Sequence, residues 1–273
     1  MSAISSTFSK LNGEGALVAY VMGGDPDLHS SSRVVDAVIR GGADIVEVGI
    51  PFSDPIADGK SIQAADVRSL AAGATPARVL EMIRGVKASH PNTPIAAMTY
   101  YNILYSNGVE NFLDAAKANG VDAMIVPDLP LDEVVEYAAL AKARGLDTVL
   151  LAAPTTPPAR MKAILKHTSG FLYLVSVTGV TGARTEVQTS TIDLVRTAKA
   201  LAAEAKVPLG VGFGISTPEQ VREVIGAGAD AVVVGSGIVD KVAEFDRGAG
   251  SAVTLVRVNE YVRVMKAGTR KAG

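Results

Sequence analysis

The sequence predicts an α/β chain closed as a (β/α)8 barrel, and three observations carry that expectation. Short apolar or β-branched runs recur eight times, at 17–22, 45–49, 94–98, 123–126, 148–152, 171–176, 209–212 and 231–235. Most are continuously apolar rather than alternating, as parallel strands covered on both faces are. Helix-periodic stretches separate them, and the spacing is roughly 31 residues per unit, which suits a closed barrel.

Taken in order, the polar stretch before the first run is expected to form an extra N-terminal helix. The first strand ends at Gly23-Gly24-Asp25-Pro26. A doubly wound open sheet would place a G-x-G-x-x-G turn there, and this turn is not one. Residues 32–40 carry Val34, Val35, Val38 and Ile39 on one helical face, and 218–227 carry Val221, Val224 and Ile225 likewise. Four helices run into the same junction: Gly41-Gly42-Ala43-Asp44, Gly120-Val121-Asp122, Gly145-Leu146-Asp147 and Gly228-Ala229-Asp230. Glycine there supplies a left-handed C-cap, and an Asp precedes the next strand. A short helix is expected after strand eight. With no low-complexity linker and no composition break, 1–273 reads as a single TIM-barrel domain.

Composition narrows the chemistry. Lys plus Arg is 26 and Asp plus Glu is 28, so the net charge of -2 offers no general attraction for nucleic acid or anionic lipid. The chain has no cysteine, which removes disulfides, thiolate catalysis, iron–sulfur clusters and Cys-based zinc sites. It also has no tryptophan. The longest strongly apolar run, 16–22, is far short of a membrane span, and the polar N-terminus lacks a signal-peptide pattern. The expected compartment is the cytoplasm.

Barrel sites lie at the C-terminal ends of the strands, so the search reduces to eight windows. The window after strand two is the densest. Glu47 stands inside an otherwise apolar strand. It is either a buried carboxyl satisfied by a hydrogen bond or a general acid/base whose pKa is raised by desolvation. Asp58 lies eleven positions on, beyond Pro51 and Pro55. Its loop could fold a second carboxylate over the barrel mouth; the alternative is that Asp54 and Asp58 only shape turns.

Glycine-rich strand ends point to an anion. Gly212-Phe213-Gly214 follows strand seven, Gly235-Ser236-Gly237 follows strand eight, and Thr178-Gly179-Val180-Thr181-Gly182 follows strand six. Backbone amides at such ends hold phosphate in many barrels. Tyr100 and Tyr173 could line the mouth, and each taken singly also suits packing. Asp25 and Asp128 read as turn carboxylates. His29, His90 and His167 fall in or beside helices, which argues against a metal site or a His base. The eight strand windows contain no lysine, so a Schiff-base mechanism is disfavoured.

The run Glu47-Val48-Gly49-Ile50-Pro51-Phe52-Ser53-Asp54-Pro55-Ile56-Ala57-Asp58-Gly59 resembles the hallmark segment of the tryptophan synthase alpha subunit family. Gly23-Gly24-Asp25-Pro26, Thr99-Tyr100-Tyr101-Asn102, Val126-Pro127-Asp128-Leu129-Pro130, Gly179-Val180-Thr181-Gly182, Gly212-Phe213-Gly214-Ile215 and Gly235-Ser236 resemble family segments in family order, over roughly residues 15–245.

The resemblance implies a lyase that cleaves indole-3-glycerol phosphate to indole and glyceraldehyde 3-phosphate in tryptophan biosynthesis. It implies Glu47 as the acid/base, Asp58 as acceptor of the indole N–H, and Tyr173 as a neighbour that positions Glu47. Phosphate is implied at the amides of Gly182, Gly214, Gly235 and Ser236, with the short helix after strand eight contributing. Tyr20 and Tyr100 fall on the substrate side. Residues 177–191 match a mobile lid, with Thr181 touching Asp58 when closed.

The resemblance also implies a pyridoxal-phosphate-dependent beta subunit as partner in an α2β2 assembly, receiving indole across a face that includes Pro51, Asp54 and Asn102. No cofactor is implied on this chain. Lys60 stands where many members have Pro, as does Ile103. Other phosphate-binding barrels fit less well: an epimerase needs strand-end His and metal ligands, and phosphoribosylanthranilate isomerase uses a Cys. A module that only activates a beta subunit would have no physical reason to keep a buried carboxylate.

Overall fold

Why the chain closes on itself is visible in its strand pairing. The computed structural model describes residues 1–175, 189–212, 214–245 and 251–270. The elements run α1 (Ala3–Lys10), β1 (Ala16–Met22), α2 (Leu28–Arg40), β2 (Ile45–Gly49), α3 (Lys60–Ala71), α4 (Pro76–Ser89), β3 (Ile95–Met98), α5 (Tyr101–Asn107), α6 (Val109–Ala118) and β4 (Ala123–Ile125). There follow α7 (Leu131–Ala143), β5 (Asp147–Val149), β6 (Leu151–Ala152), α8 (Pro158–Leu165), β7 (Leu172–Val175), α9 (Thr189–Ala205), β8 (Leu209–Gly212), α10 (Pro218–Gly226), β9 (Ala231–Val234), α11 (Ser236–Val242) and α12 (Ser251–Ala267).

The ladder order is β5-β4-β3-β2-β1-β9-β8-β7-β6, and each pairing is parallel. Its two ends, β5 and β6, are separated in the chain by Leu150 alone, so the sheet returns to its start. The expected fifth strand, 148–152, is thus present as two short pieces. The interruption falls where the chain changes partners: Ser169 N donates to Thr148 O, whereas Tyr173 N donates to Leu150 O. The other seven strands agree with expectation to within a residue at each described end. Ser176, the expected end of one strand, lies outside the described residues.

Strand period two sorts side chains between two cores. Outward residues such as Leu17, Val46, Val48, Leu172 and Val232 join the large layer beneath the helices. Inward residues Ala16, Val18, Ile45, Ala96, Ile125, Phe171 and Val233 fill the barrel. The N-terminal helix closes the lower end, with Ile4 fully buried in that inner cluster and Phe8 edge-on to Phe171 at 6.3 Å. Inward positions on β8 are glycines because β7 is aromatic there. A Cβ on Gly210 would lie 2.6 Å from Phe171, and one on Gly212 would lie 2.6 Å from Tyr173.

The four glycine junctions form as expected, with φ between +66° and +116° at Gly42, Gly120, Gly145 and Gly228. Three of their aspartates do one job. Asp44 accepts from Leu17 N and Lys266 Nζ, Asp122 from Ile95 N and Lys87 Nζ, and Asp230 from Leu209 N and Lys199 Nζ, at 2.6–2.9 Å. Each stitches the strand before it to the strand after it and anchors a helix by a cation. Asp147 departs from the set: it is the first residue of β5, and its Oδ2 is buried with no hydrogen-bond partner.

Candidate active site

Glu47 is aimed by its strand. Ile45 faces the inner cluster and Val46 and Val48 face outward, so the residue between them points into the barrel above Ile45. It is fully buried, and among the described residues neither carboxyl oxygen has a hydrogen-bond partner. Desolvation is the main cause, and the Asp58 charge the second, that pushes its pKa up to about 8. The alternative of a satisfied buried carboxyl is therefore not what the geometry contains. Tyr20 pairs in register with Glu47 from β1, and Tyr173 faces inward from β7. Both hydroxyls are held well above the ordinary phenol range, chiefly by burial. Tyr173 makes no hydrogen bond to Glu47.

Asp58 ends a turn, its N donating to Pro55 O at 3.1 Å, and its carboxyl is held from another unit of the barrel. Tyr100 Oη donates to Asp58 Oδ2 at 2.8 Å and accepts from Ala57 N at 3.0 Å. Burial raises the Asp58 pKa to about 6 against the lowering effect of that hydrogen bond. The Tyr100 ring stacks on Phe52, 5.1 Å between centroids. Phe52 N in turn donates to Asp66 Oδ1 on α3 at 2.9 Å. Tyr100 is buried and is not among the residues that line the cavity; its hydroxyl is engaged with Asp58 and Ala57. Lys60 opens α3 after Gly59, and Gln63 Nε2 ties that first turn to Asp58 O at 2.8 Å.

Above these groups opens a cavity of about 800 Å³ whose wall includes Tyr20, Glu47, Asp58, Tyr173, Gly235 and Ser236. Gly212 and Gly214 line the same side, and Gly214 takes φ +68°, a conformation side chains rarely tolerate. Gly235 packs against Tyr20, where a Cβ would meet another at 3.3 Å. Ser236 opens α11, the short helix expected after the last barrel strand. The cavity wall thus combines backbone from the glycine-containing ends of β8 and β9 with two carboxyls. Thr181, Gly182 and most of the lid 177–191 lie outside the described residues, as does Phe213.

Of the residues expected on the partner face, Asp54 and Asn102 are exposed and Pro51 is buried. Two residues that sequence reasoning missed stand out on the same rim: Ile56 is 86% exposed and Tyr105 is 72% exposed. Asp25 is also more than a turn residue. It is buried and holds Arg68 through two bonds of 2.7 and 2.8 Å. Asp128 does act locally, accepting from Tyr101 N at the start of α5. No helix among the described residues is long and apolar enough to cross a membrane.

Comparison with known proteins places relatives beside this geometry. Residues 8–270 match the family model described as tryptophan synthase alpha chain. The tryptophan synthase alpha chain of Methanosarcina barkeri is 45% identical over 98% of both chains. That of Prochlorococcus marinus is 48% identical over 89% of this chain and 87% of its own. Among solved structures, the tryptophan synthase A-subunit of Pyrococcus furiosus superposes with a TM-score of 0.85 at 39% identity, covering 93% of this chain and 98% of the other. The tryptophan synthase alpha chain of Legionella pneumophila gives 0.87 at 31% identity over 98% and 97%.

Proposed function

The chain belongs to the tryptophan synthase alpha chain family and cleaves indole-3-glycerol phosphate to indole and glyceraldehyde 3-phosphate; we propose that Glu47 moves the protons of that reaction and that Asp58 holds the indole nitrogen. The carbon–carbon bond cannot break until indole C3 is protonated, since only the resulting indolenine accepts the bonding electrons. Glu47, protonated at neutral pH, gives its proton to C3. The carboxylate so formed takes the proton of the glycerol hydroxyl on the departing carbon. That hydroxyl becomes the aldehyde, the bonding pair returns to the indole ring, and Glu47 ends protonated as it began. A placed acid/base of this kind is worth roughly 10²–10⁴ in rate.

Asp58 accepts from the indole N–H and stabilises the positive charge that C3 protonation places on the ring. A proton-bearing Glu47 beside an ionised Asp58 is a division of roles that unlike environments enforce. The reading rests on one observation above others: a wholly buried carboxyl in the cavity wall with no partner on either oxygen. The amides of Gly214, Gly235 and Ser236 suit the phosphate, and Thr181 and Gly182 are assigned to the same end by the resemblance alone. Tyr20 and Tyr173 pack the indole side. No cofactor is assigned to this chain; pyridoxal phosphate is assigned to the beta subunit.

The family works with a beta subunit. We assign its docking face to the rim carrying Asp54, Ile56, Asn102 and Tyr105, as an α2β2 assembly through which indole passes on, in the cytoplasm. Exposure of Ile56, which lines the cavity, and of Tyr105 supports this choice. The test is indole release from the isolated chain and from its mixture with a beta subunit. Glu47→Gln is expected to abolish indole formation while glyceraldehyde 3-phosphate still binds. Turnover retained by that variant sinks the assignment.

A further inference from the structure

Asp66 is a buried carboxyl that the mechanism does not use. It lies on α3 with 2% of its surface exposed. Its Oδ1 accepts from Phe52 N at 2.9 Å, while its Oδ2 is buried with no hydrogen-bond partner. Burying a carboxyl for a single amide is costly unless that amide needs to stay where it is. Residues 52 and 66 bracket Asp58, so the bond closes a staple across the loop that carries it. The far side of the staple is continuous with Asp58: the Phe52 ring stacks on Tyr100, and Tyr100 Oη donates to Asp58 Oδ2.

The helix end of the staple is itself fixed. Arg68 binds Asp25 in the loop after β1, and Ser69 Oγ donates to Gly23 O at 2.7 Å. The loop, by contrast, is exposed at Ser53, Asp54, Ile56 and Ala57. Its position therefore depends on a small number of anchors. These include Ile50 N to Met98 O at 2.8 Å at the start, Phe52 N to Asp66, and Tyr100 and Gln63 Nε2 at the end.

We propose that Asp66 is a positioning residue for indole recognition, setting Asp58 through the Phe52 amide and the Phe52–Tyr100 stack. The inference rests on the assignment of Asp58 to the indole nitrogen. It concerns indole recognition only, because the glycine amides hang from β8 and β9 and not from this loop.

The experiment compares Asp66→Ala and Asp66→Asn with the unchanged chain, using two probes: indole-3-propyl phosphate, which has the indole N–H, and glyceraldehyde 3-phosphate, which does not. Asp66→Ala is expected to weaken the indole probe about tenfold, the loss of one charge-assisted bond, and to lower kcat/KM at least as much. Its affinity for glyceraldehyde 3-phosphate is expected to stay unchanged. Asp66→Asn keeps an acceptor for Phe52 N and restores both quantities, even where its unpaired amide lowers Tm. Equal weakening of both probes, no weakening of the indole probe, or an Asn variant as impaired as the Ala variant overturns the proposal. If Asp66→Ala does not fold, Asp66→Ser, too short to reach Phe52 N, is read in the same way. Asp58→Asn is the control. If it leaves the indole probe unaffected, the role of Asp58 itself falls; if it weakens the probe and Asp66→Ala does not, only the role of Asp66 falls.

Discussion

Replacing Glu47 with Gln should make the protein more stable as well as inactive, and the gain should depend on pH in a defined way. In the folded chain the carboxyl titrates near pH 8, against an ordinary value of 4.5. Its folded pKa lies above its unfolded one, so the folded state binds the proton more tightly. Stability from this group is fully present below pH 4.5 and is lost as pH rises towards 8, at about 1.4 kcal/mol per pH unit. At pH 7 folding must take up a proton, at a cost of about 3 kcal/mol. Gln is neutral at every pH and nearly the same shape, so it escapes that cost. Urea unfolding of both proteins at pH 5, 6, 7 and 8 measures it. The stability difference should be small at pH 5, grow with pH, and level off above about 8. A difference that is the same at pH 5 and pH 8, or a Gln variant less stable at both, would refute the claim that Glu47 is held protonated by burial.

Three other outcomes follow from the same geometry. Tyr100→Phe removes the bond that lowers the Asp58 pKa, so kcat/KM should fall about tenfold and the acid limb of its pH profile should move to higher pH; an unmoved limb would detach Tyr100 from Asp58. Gly212→Ala places a Cβ 2.6 Å from the Tyr173 ring, which must then turn. KM for the substrate should rise, with a stability loss of about 1–3 kcal/mol in denaturant titration. Asp230→Ala leaves Leu209 N and Lys199 without their acceptor. It should cost about 2 kcal/mol in unfolding measurements and leave kcat/KM unchanged, because the junction lies at the opposite end of the barrel from the cavity.

Where the signal was local, the sequence was enough. A lone Glu in an apolar strand, with period two on either side, already places Glu47 in the barrel interior. The glycine–Asp junctions likewise announce themselves four times, although their lysine partners do not, because Asp44 and Lys266 are 222 residues apart. Asp58 was balanced against a turn role because its decisive contact, Tyr100, lies 42 positions away. Asp25 looked like a turn residue for the same reason: Arg68 arrives from another unit. The break at Leu150 is not legible in the sequence, because an apolar run does not reveal a change of hydrogen-bond partner. Pro51 and Ile56 differ only in which way a loop turns them, and Tyr105 in which face of α5 carries it, and nothing in their spacing says so.

The two carboxyls differ in what carries them, and that difference accounts for their unlike acidities. Glu47 is fixed by a strand in the middle of a closed sheet, paired on both sides, and among the described residues no donor comes with it. Asp58 rides on a loop whose middle is exposed, and Tyr100 supplies it a donor. The more rigid group is therefore the one that keeps its proton, and the movable one is the anion. The charge on Asp58 also helps to raise Glu47, so the loop position tunes the proton affinity of a residue it does not contain. A partner contact on the Asp54 and Ile56 rim that draws the loop inward strengthens that coupling and makes Glu47 a more reluctant acid but a better base. Indole N–H bound to Asp58 acts in the opposite sense by neutralising part of the anion's field. Binding of the substrate thus readies Glu47 to release its proton at the moment the acceptor carbon is in place.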